Sequence, residues 1–202
     1  MPCSPKIYRN SNPQMGDVVI DALQTKLSEL TYLDDLGNTQ FWLKEIFGLC
    51  EPSQKSNVPL GWSDGEYVSA QPNDNHGAVI FFADMGMEEY TSSIRQVKQK
   101  YSIIGWVQEK RFDITSRGSV VNAMIHTILQ DVFNYNSNTF GADFEFILPV
   151  QTTMQTNHNV FEGFDTHTFL DAYNSCIAFR IDFYGWFEMD CNFQYQQIKG
   201  KC

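Results

Sequence analysis

An α+β fold is what this sequence predicts: an antiparallel β-sheet packed against two helices, with long hairpin or loop excursions leaving the sheet. Three observations predict it. Two segments repeat their apolar residues at helical steps of three and four. Several runs are rich in strand formers, one of them alternating strictly. These segments follow one another as helix, strand, loop, strand, strand, helix, strand, strand, an order that suits a sheet with helices on one face.

Residues 1–14 carry Pro2, Pro5 and Pro13 among polar neighbours and read as an extended N-terminal arm that orders on contact with a partner. From Met15 to about Leu33, the residues Val19, Ala22, Leu23, Leu27 and Leu30 keep one apolar face, and Asp17 suits the positive end of a helix dipole. Gly37 permits a turn over Asp34–Asn38, and Phe41–Phe47 reads as a strand bounded by Gly48 and Pro52. Residues 51–77 hold three prolines, three glycines and many Ser, Asn and Asp, the composition of a long loop or a hairpin excursion. Ala78–Ala83 and Tyr101–Gln108 read as sheet strands. Asp84–Lys100 between them reads as a loop or extended hairpin connection, with a helix over Glu88–Gln99 as the alternative.

The second helix is expected over Ser119–Phe133. Hydroxyls at Thr115 and Ser116 offer caps, and Val120, Val121, Met124, Ile125, Ile128, Leu129, Val132 and Phe133 form one apolar stripe. Phe144–Val150 and Cys176–Phe187 close the sheet. In the latter Ile177, Phe179, Ile181 and Phe183 alternate with Ala178, Arg180 and Asp182, which puts four apolar side chains on one face. Residues 194–202 read as a polar tail, and the whole of 1–202 as a single domain.

With 14 Lys and Arg against 24 Asp and Glu, the net charge of −10 repels a phosphate backbone, which argues against a nucleic-acid grip. The 16 Phe, 9 Tyr and 4 Trp make 14% aromatic, which points to buried contact between chains or, almost as well, to a Phe-rich core, since aromatic side chains dominate the energetics of both. Cys3, Cys50, Cys176, Cys191 and Cys202 are odd in number and have no metal-finger spacing, so they read as reduced thiols. Nothing resembles a signal peptide or a membrane span, so the expected place of synthesis and use is a cytoplasm or a particle assembled there.

Catalytic signatures are missing. There is no phosphate-binding glycine loop, no GxSxG elbow and no HExxH pair. His126 reads as a helix-surface residue. His158 and His167, near Glu162 and Asp165, are the one histidine and carboxylate cluster, and they read as a polar loop before a metal site. The pairs Asp34–Asp35 and Glu88–Glu89 diverge too much to share a proton and read as solvated positions. No catalytic residue, metal or cofactor is therefore expected; the alternatives are an enzyme with a loop-borne site at His158, Asp165 and His167, and an acidic module that binds a host protein. Interface residues are expected: Leu60, Trp62 and Tyr67 supply apolar anchors on the 51–77 excursion, while Arg95, Lys98 and Lys100 form a basic stretch suited to an acidic neighbouring subunit or to a solvated sheet edge.

The helix Val18–Leu30, the strand Phe41–Phe47, the pair Ala78–Ala83 and Tyr101–Val107, the helix Ser119–Phe133 and the aromatic strand Cys176–Met189 together resemble the tail-terminator-like ring proteins of tailed bacteriophages. Their aromatic, asparagine-rich style is similar to that of virion proteins of crAss-like phages. The resemblance implies a structural protein without an active site. It also implies a homo-oligomeric ring of six or twelve copies in the neck or tail of the virion, touching portal, neck and tail proteins, with DNA passing through the ring. The 51–77 excursion departs from that pattern.

Overall fold

Strand β10 (Ile177–Glu188) shows how the alternating pattern is used. Phe179, Ile181 and Phe183 are fully buried on the face that receives the helices, while Ala178, Arg180 and Asp182 are buried on the other. The next two strands on one side of it in the sheet repeat the division. On β7 (Ala78–Thr91), Ala78, Ile80 and Phe82 face the helices and Val79, Phe81 and Ala83 face away. On β8 (Gln96–Val107), Tyr101, Ile103 and Val107 oppose Ile104 and Trp106. The computed structural model describes residues 3–11, 16–52, 59–63, 65–71, 76–91, 96–114, 119–133, 144–155, 164 and 176–188.

The main sheet has eight strands in the order β6-β5-β4-β7-β8-β10-β9, with β1 beside β4. Here β1 is Lys6–Ile7, β4 Glu45–Pro52, β5 Pro59–Ser63, β6 Glu66–Ser69 and β9 Phe144–Gln155. Pairing is antiparallel except that β4 runs parallel to both β7 and β1. Two helices, α1 (Gly16–Ser28) and α2 (Val120–Thr127), cover one face, so the α+β class holds. Val19, Ile20, Leu23 and Leu27 of α1 and Val120, Val121, Met124 and Ile125 of α2 enter that core. No described helix is long and apolar enough to cross a membrane.

Several expectations change. Helix α1 stops at Ser28, before Leu33. Thr31–Leu33 (β2) instead pairs with Thr39–Phe41 (β3), because β-branched Thr31 and aromatic Tyr32 favour a pleat and the Tyr32 ring packs at a tilt of 38° on Trp42, 4.5 Å between centroids. The expected strand Phe41–Phe47 is broken. Trp42 and Leu43 are adjacent in sequence yet both lie in the helix-side core, which a regular pleat forbids, so the chain bends between β3 and β4. Helix α2 is capped by Ser119, whose Oγ accepts from the Asn122 N–H. Glu109 reinforces the cap by accepting from the Val121 N–H at 3.3 Å; Thr115 and Ser116 lie outside the described residues. Beyond Thr127 the stripe continues as a π-helical turn, Ile128–Val132.

The connection between β7 and β8 proves to be the extended hairpin, with both strands running far past their apolar stretches. The 51–77 excursion contains the β5–β6 hairpin. The N-terminal arm is docked on the chain's own sheet: β1 lies along β4, Tyr8 is buried, and its ring stacks on Phe47 at 4.2 Å with 8° between planes. The alternation in sequence put the apolar side chains of the last strand on one face, but the described residues form a hydrophobic core on each face of the sheet. The second, around Phe47, Val79, Phe81, Ile104 and Trp106, fills the face away from the helices.

Candidate interaction surface

Four large apolar side chains stand exposed among the described residues, and two of them, Trp62 and Tyr67, belong to the β5–β6 hairpin. The pairing Trp62 with Tyr67 and Leu60 with Ser69 puts Leu60, Trp62 and Tyr67 on one face, since residues two apart share a side. The indole and phenol meet edge to face at 4.9 Å. Pro59, Gly61 and Ser63 are buried on the opposite side. Gly61 lets the strand lie close on Cys50, since a Cβ there would stand 3.3 Å from Cys50 Sγ, a tight contact. The three predicted anchors thus gather on an outward face that its buried reverse side fixes in place. The other exposed pair, Leu33 at 56% and Leu36 at 87%, sits on the β2–β3 hairpin and was not singled out by sequence.

The predicted basic stretch has intramolecular partners. Lys98 Nζ stands 4.3 Å from the centroid of Tyr184, and Lys100 Nζ is 3.3 Å from Asp182 Oδ2. Arg95 lies outside the described residues. Asp182 is the hub of a buried polar network that sequence reading missed: it also accepts from Arg180 Nε at 2.6 Å and from Ser102 Oγ at 2.6 Å. Burial alone would raise its pKa. The Arg180 and Ser102 hydrogen bonds, with the charges of Arg180 and Lys100, outweigh burial and hold it below the ordinary aspartate value. The sequence signal was available, since Arg180 and Asp182 occupy alternate positions of a strand otherwise apolar on both faces.

A second polar group joins the N-terminal strand to the sheet. Tyr8 Oη donates to Glu45 Oε1 at 2.9 Å, His76 Nδ1 approaches Glu45 Oε2 at 3.1 Å without hydrogen-bond alignment, and Lys6 Nζ sits 4.3 Å from the Tyr8 ring centroid. Burial raises the Tyr8 pKa above its ordinary value. From the α1 side, Gln24 Nε2 donates to the Tyr8 carbonyl at 2.8 Å. These contacts clamp a strand. Cys50, buried in the second core, has its thiol pushed well up by burial, which disfavours the reactive thiolate.

Where β4 parts from β7, past the pair Leu49 and Phe82, a crevice of about 530 Å³ opens. Cys50, Glu51 and Pro52 form one wall and Ala83, Asp84, Met85 and Gly86 the other, with Phe164 against them. Asp84 accepts from the Gly86 N–H at 2.8 Å and from Gln99 Nε2 at 2.6 Å, and Gly86 takes φ of 95°, a conformation that glycine tolerates best. Among the described residues no group of three or more His, Cys, Asp or Glu side chains could hold a metal ion. His126 is exposed on α2, as expected, while His158, Glu162, Asp165 and His167 lie outside the described residues.

Comparison with known proteins finds no family model that matches the chain and no curated protein that matches its sequence.

Proposed function

We propose that the chain is a structural subunit that assembles with copies of itself into a closed ring. By its resemblance to tail-terminator-like proteins, the ring belongs to the neck or tail of a tailed bacteriophage, holds six or twelve copies, and contacts portal, neck or tail proteins. The observation that carries the reading is the outward face of the β5–β6 hairpin. Trp62 and Tyr67 are the kind of rigid aromatic anchor that dominates contact energies, and here they stand in solvent at the end of a sheet. A ring needs one patch to meet a different patch on the next copy, with a rotation that closes. The exposed leucines of the β2–β3 hairpin supply a second apolar patch elsewhere on the surface. The net charge of −10 keeps free subunits apart, which suits assembly through a few strong anchors.

The test is the oligomeric state of the purified chain by native mass spectrometry and light scattering, followed by electron microscopy of the particles. Wild type should form a ring of one defined copy number. The double variant Trp62→Ser, Tyr67→Ser should remain folded and become monomeric. A chain that stays monomeric at all concentrations, and is missing from assembled particles, overturns the reading.

A further inference from the structure

Strands β7, β8, β10 and β9 lie side by side, and the inner two pair without interruption, from Ile177 with Val107 to Glu188 with Gln96. The outer two do not. On β7, Met85 and Gly86 together stand opposite Lys100, between the pairs Asp84 with Tyr101 and Met87 with Gln99, and Glu88 is a further extra residue before Glu89 meets Lys98. On β9, Leu148, Pro149 and Val150 together stand opposite Phe183, between the pairs Asp182 with Gln151 and Tyr184 with Ile147. Each outer strand thus carries extra residues against its inner neighbour. Both offsets fall at one level of the sheet, because Tyr101 pairs with Phe183 and Gln99 with Gly185.

A bulge interrupts the hydrogen-bond ladder and bends its strand, and glycine or proline inside a strand marks such a place. Gly86, at φ of 95°, lies in one bulge, and Pro149, which has no N–H to give, lies in the other. Gly185 sits between them on β10, where a Cβ would stand 3.3 Å from Tyr101 Cε2. Along this crease the four strands narrow to one regular two-stranded ribbon, the form of sheet that twists most and is least stable by itself.

Packing changes at the same level. Tyr101 and Phe183 are the last described members of the helix-side core along their strands, while Lys98, Gln99, Lys100 and Tyr184 beyond them are half-buried. Two carboxylates on the core side of the crease each hold a residue on the far side. Asp84 accepts from Gln99 Nε2 at 2.6 Å, and Asp182 Oδ2 is 3.3 Å from Lys100 Nζ. Gln99 and Lys100 are consecutive in a regular strand, so the two contacts lie on opposite faces.

We infer that the crease is a hinge built into the fold: residues 87–91, 96–100, 144–147 and 184–188 turn as one four-stranded flap on the β8–β10 ribbon, latched by Asp84 and Asp182. A hinge of this kind absorbs its motion in a few residues and leaves both cores undisturbed. It lies within one subunit and does not depend on the ring reading.

Hydrogen–deuterium exchange read amide by amide on the monomeric full-length chain tests it, with Trp62→Ser, Tyr67→Ser used if wild type stays associated. Ladder amides of 87–91, 96–100 and 184–188 should share one opening rate, on the order of tenfold faster than that of 79–82, 103–106 and 179–181, with the break at the crease. Gln99→Ala, which removes one latch, should speed the flap about fivefold and leave the body unchanged. Rates that climb smoothly toward Thr91 and Glu188, with no break, would describe fraying ends and overturn the hinge. A Gln99→Ala chain in which flap and body speed up together would overturn it as well, and unchanged flap rates in that chain would strike out the Asp84 latch.

Discussion

Asp182 carries more of the fold than its surface-like chemistry suggests. It is 6% exposed, lies within hydrogen-bond reach of Arg180, Ser102 and Lys100, and faces the apolar second core. Removing its charge takes the Asp182 carboxylate away from the buried Arg180 guanidinium, and breaking one side of a buried pair in this way costs about 3–5 kcal/mol. Asp182→Asn should therefore unfold at markedly lower denaturant concentration than wild type. Its pKa is lower folded than unfolded, so its stabilisation is complete above the unfolded value of about 4 and is lost as pH falls from there through the folded value. Unfolding measured down that window should show a flatter pH dependence in Asp182→Asn, with the residual slope coming partly from Asp34, whose pKa the Asn38 backbone N–H lowers in the same direction. Gly105 is the other sensitive position. A Cβ there would stand 2.6 Å from Phe179 Cζ and 2.9 Å from Ile80 Cγ2, inside a full core. Gly105→Ala should cost about 1–3 kcal/mol in urea unfolding through overpacking, not through any change in backbone conformation.

The β5–β6 hairpin separates stability from contact within one element. Its inner residues, Pro59, Gly61 and Ser63, are buried, whereas the Leu60, Trp62 and Tyr67 face looks outward. Trp62→Ser with Tyr67→Ser should change the unfolding free energy by no more than about 0.5 kcal/mol, as exposed substitutions do, while abolishing the oligomer. A large loss of stability would mean that the pair is part of the fold and not an anchor for another chain. The same element shows how legible the candidate surface was. Leu60 and Trp62 stand out in sequence because apolar residues in a proline- and glycine-rich stretch are unusual. Lys98 and Lys100 stood out for charge alone, and sequence could not show that their partners, Tyr184 and Asp182, arrive from a strand more than eighty residues later.

At the level of the whole molecule, the N-terminal arm is a structural strap. Tyr8 ties β4 to α1 through its stack on Phe47, its hydrogen bond to Glu45 and the Gln24 amide on its carbonyl. Tyr8→Ala should lower the unfolding free energy by about 3 kcal/mol, since a buried aromatic ring and its partners are lost together. Unchanged stability would show that the arm rests on the sheet without holding it. The strap also closes the first part of the β4 edge, whose later part is taken by β5.

The α+β class, the two helices and the strands at β7, β8 and β10 were set by the sequence itself, because periods of two and of three to four follow from local backbone geometry and survive any arrangement around them. Tertiary structure alone decided where α1 stops, why the chain bends at Trp42 and Leu43, which strands run on past their apolar stretches, and that the sheet buries both faces. Each of those outcomes depends on partners distant in the chain. A residue is committed to strand, bend or core by the free energy of contacts that its own neighbours do not encode.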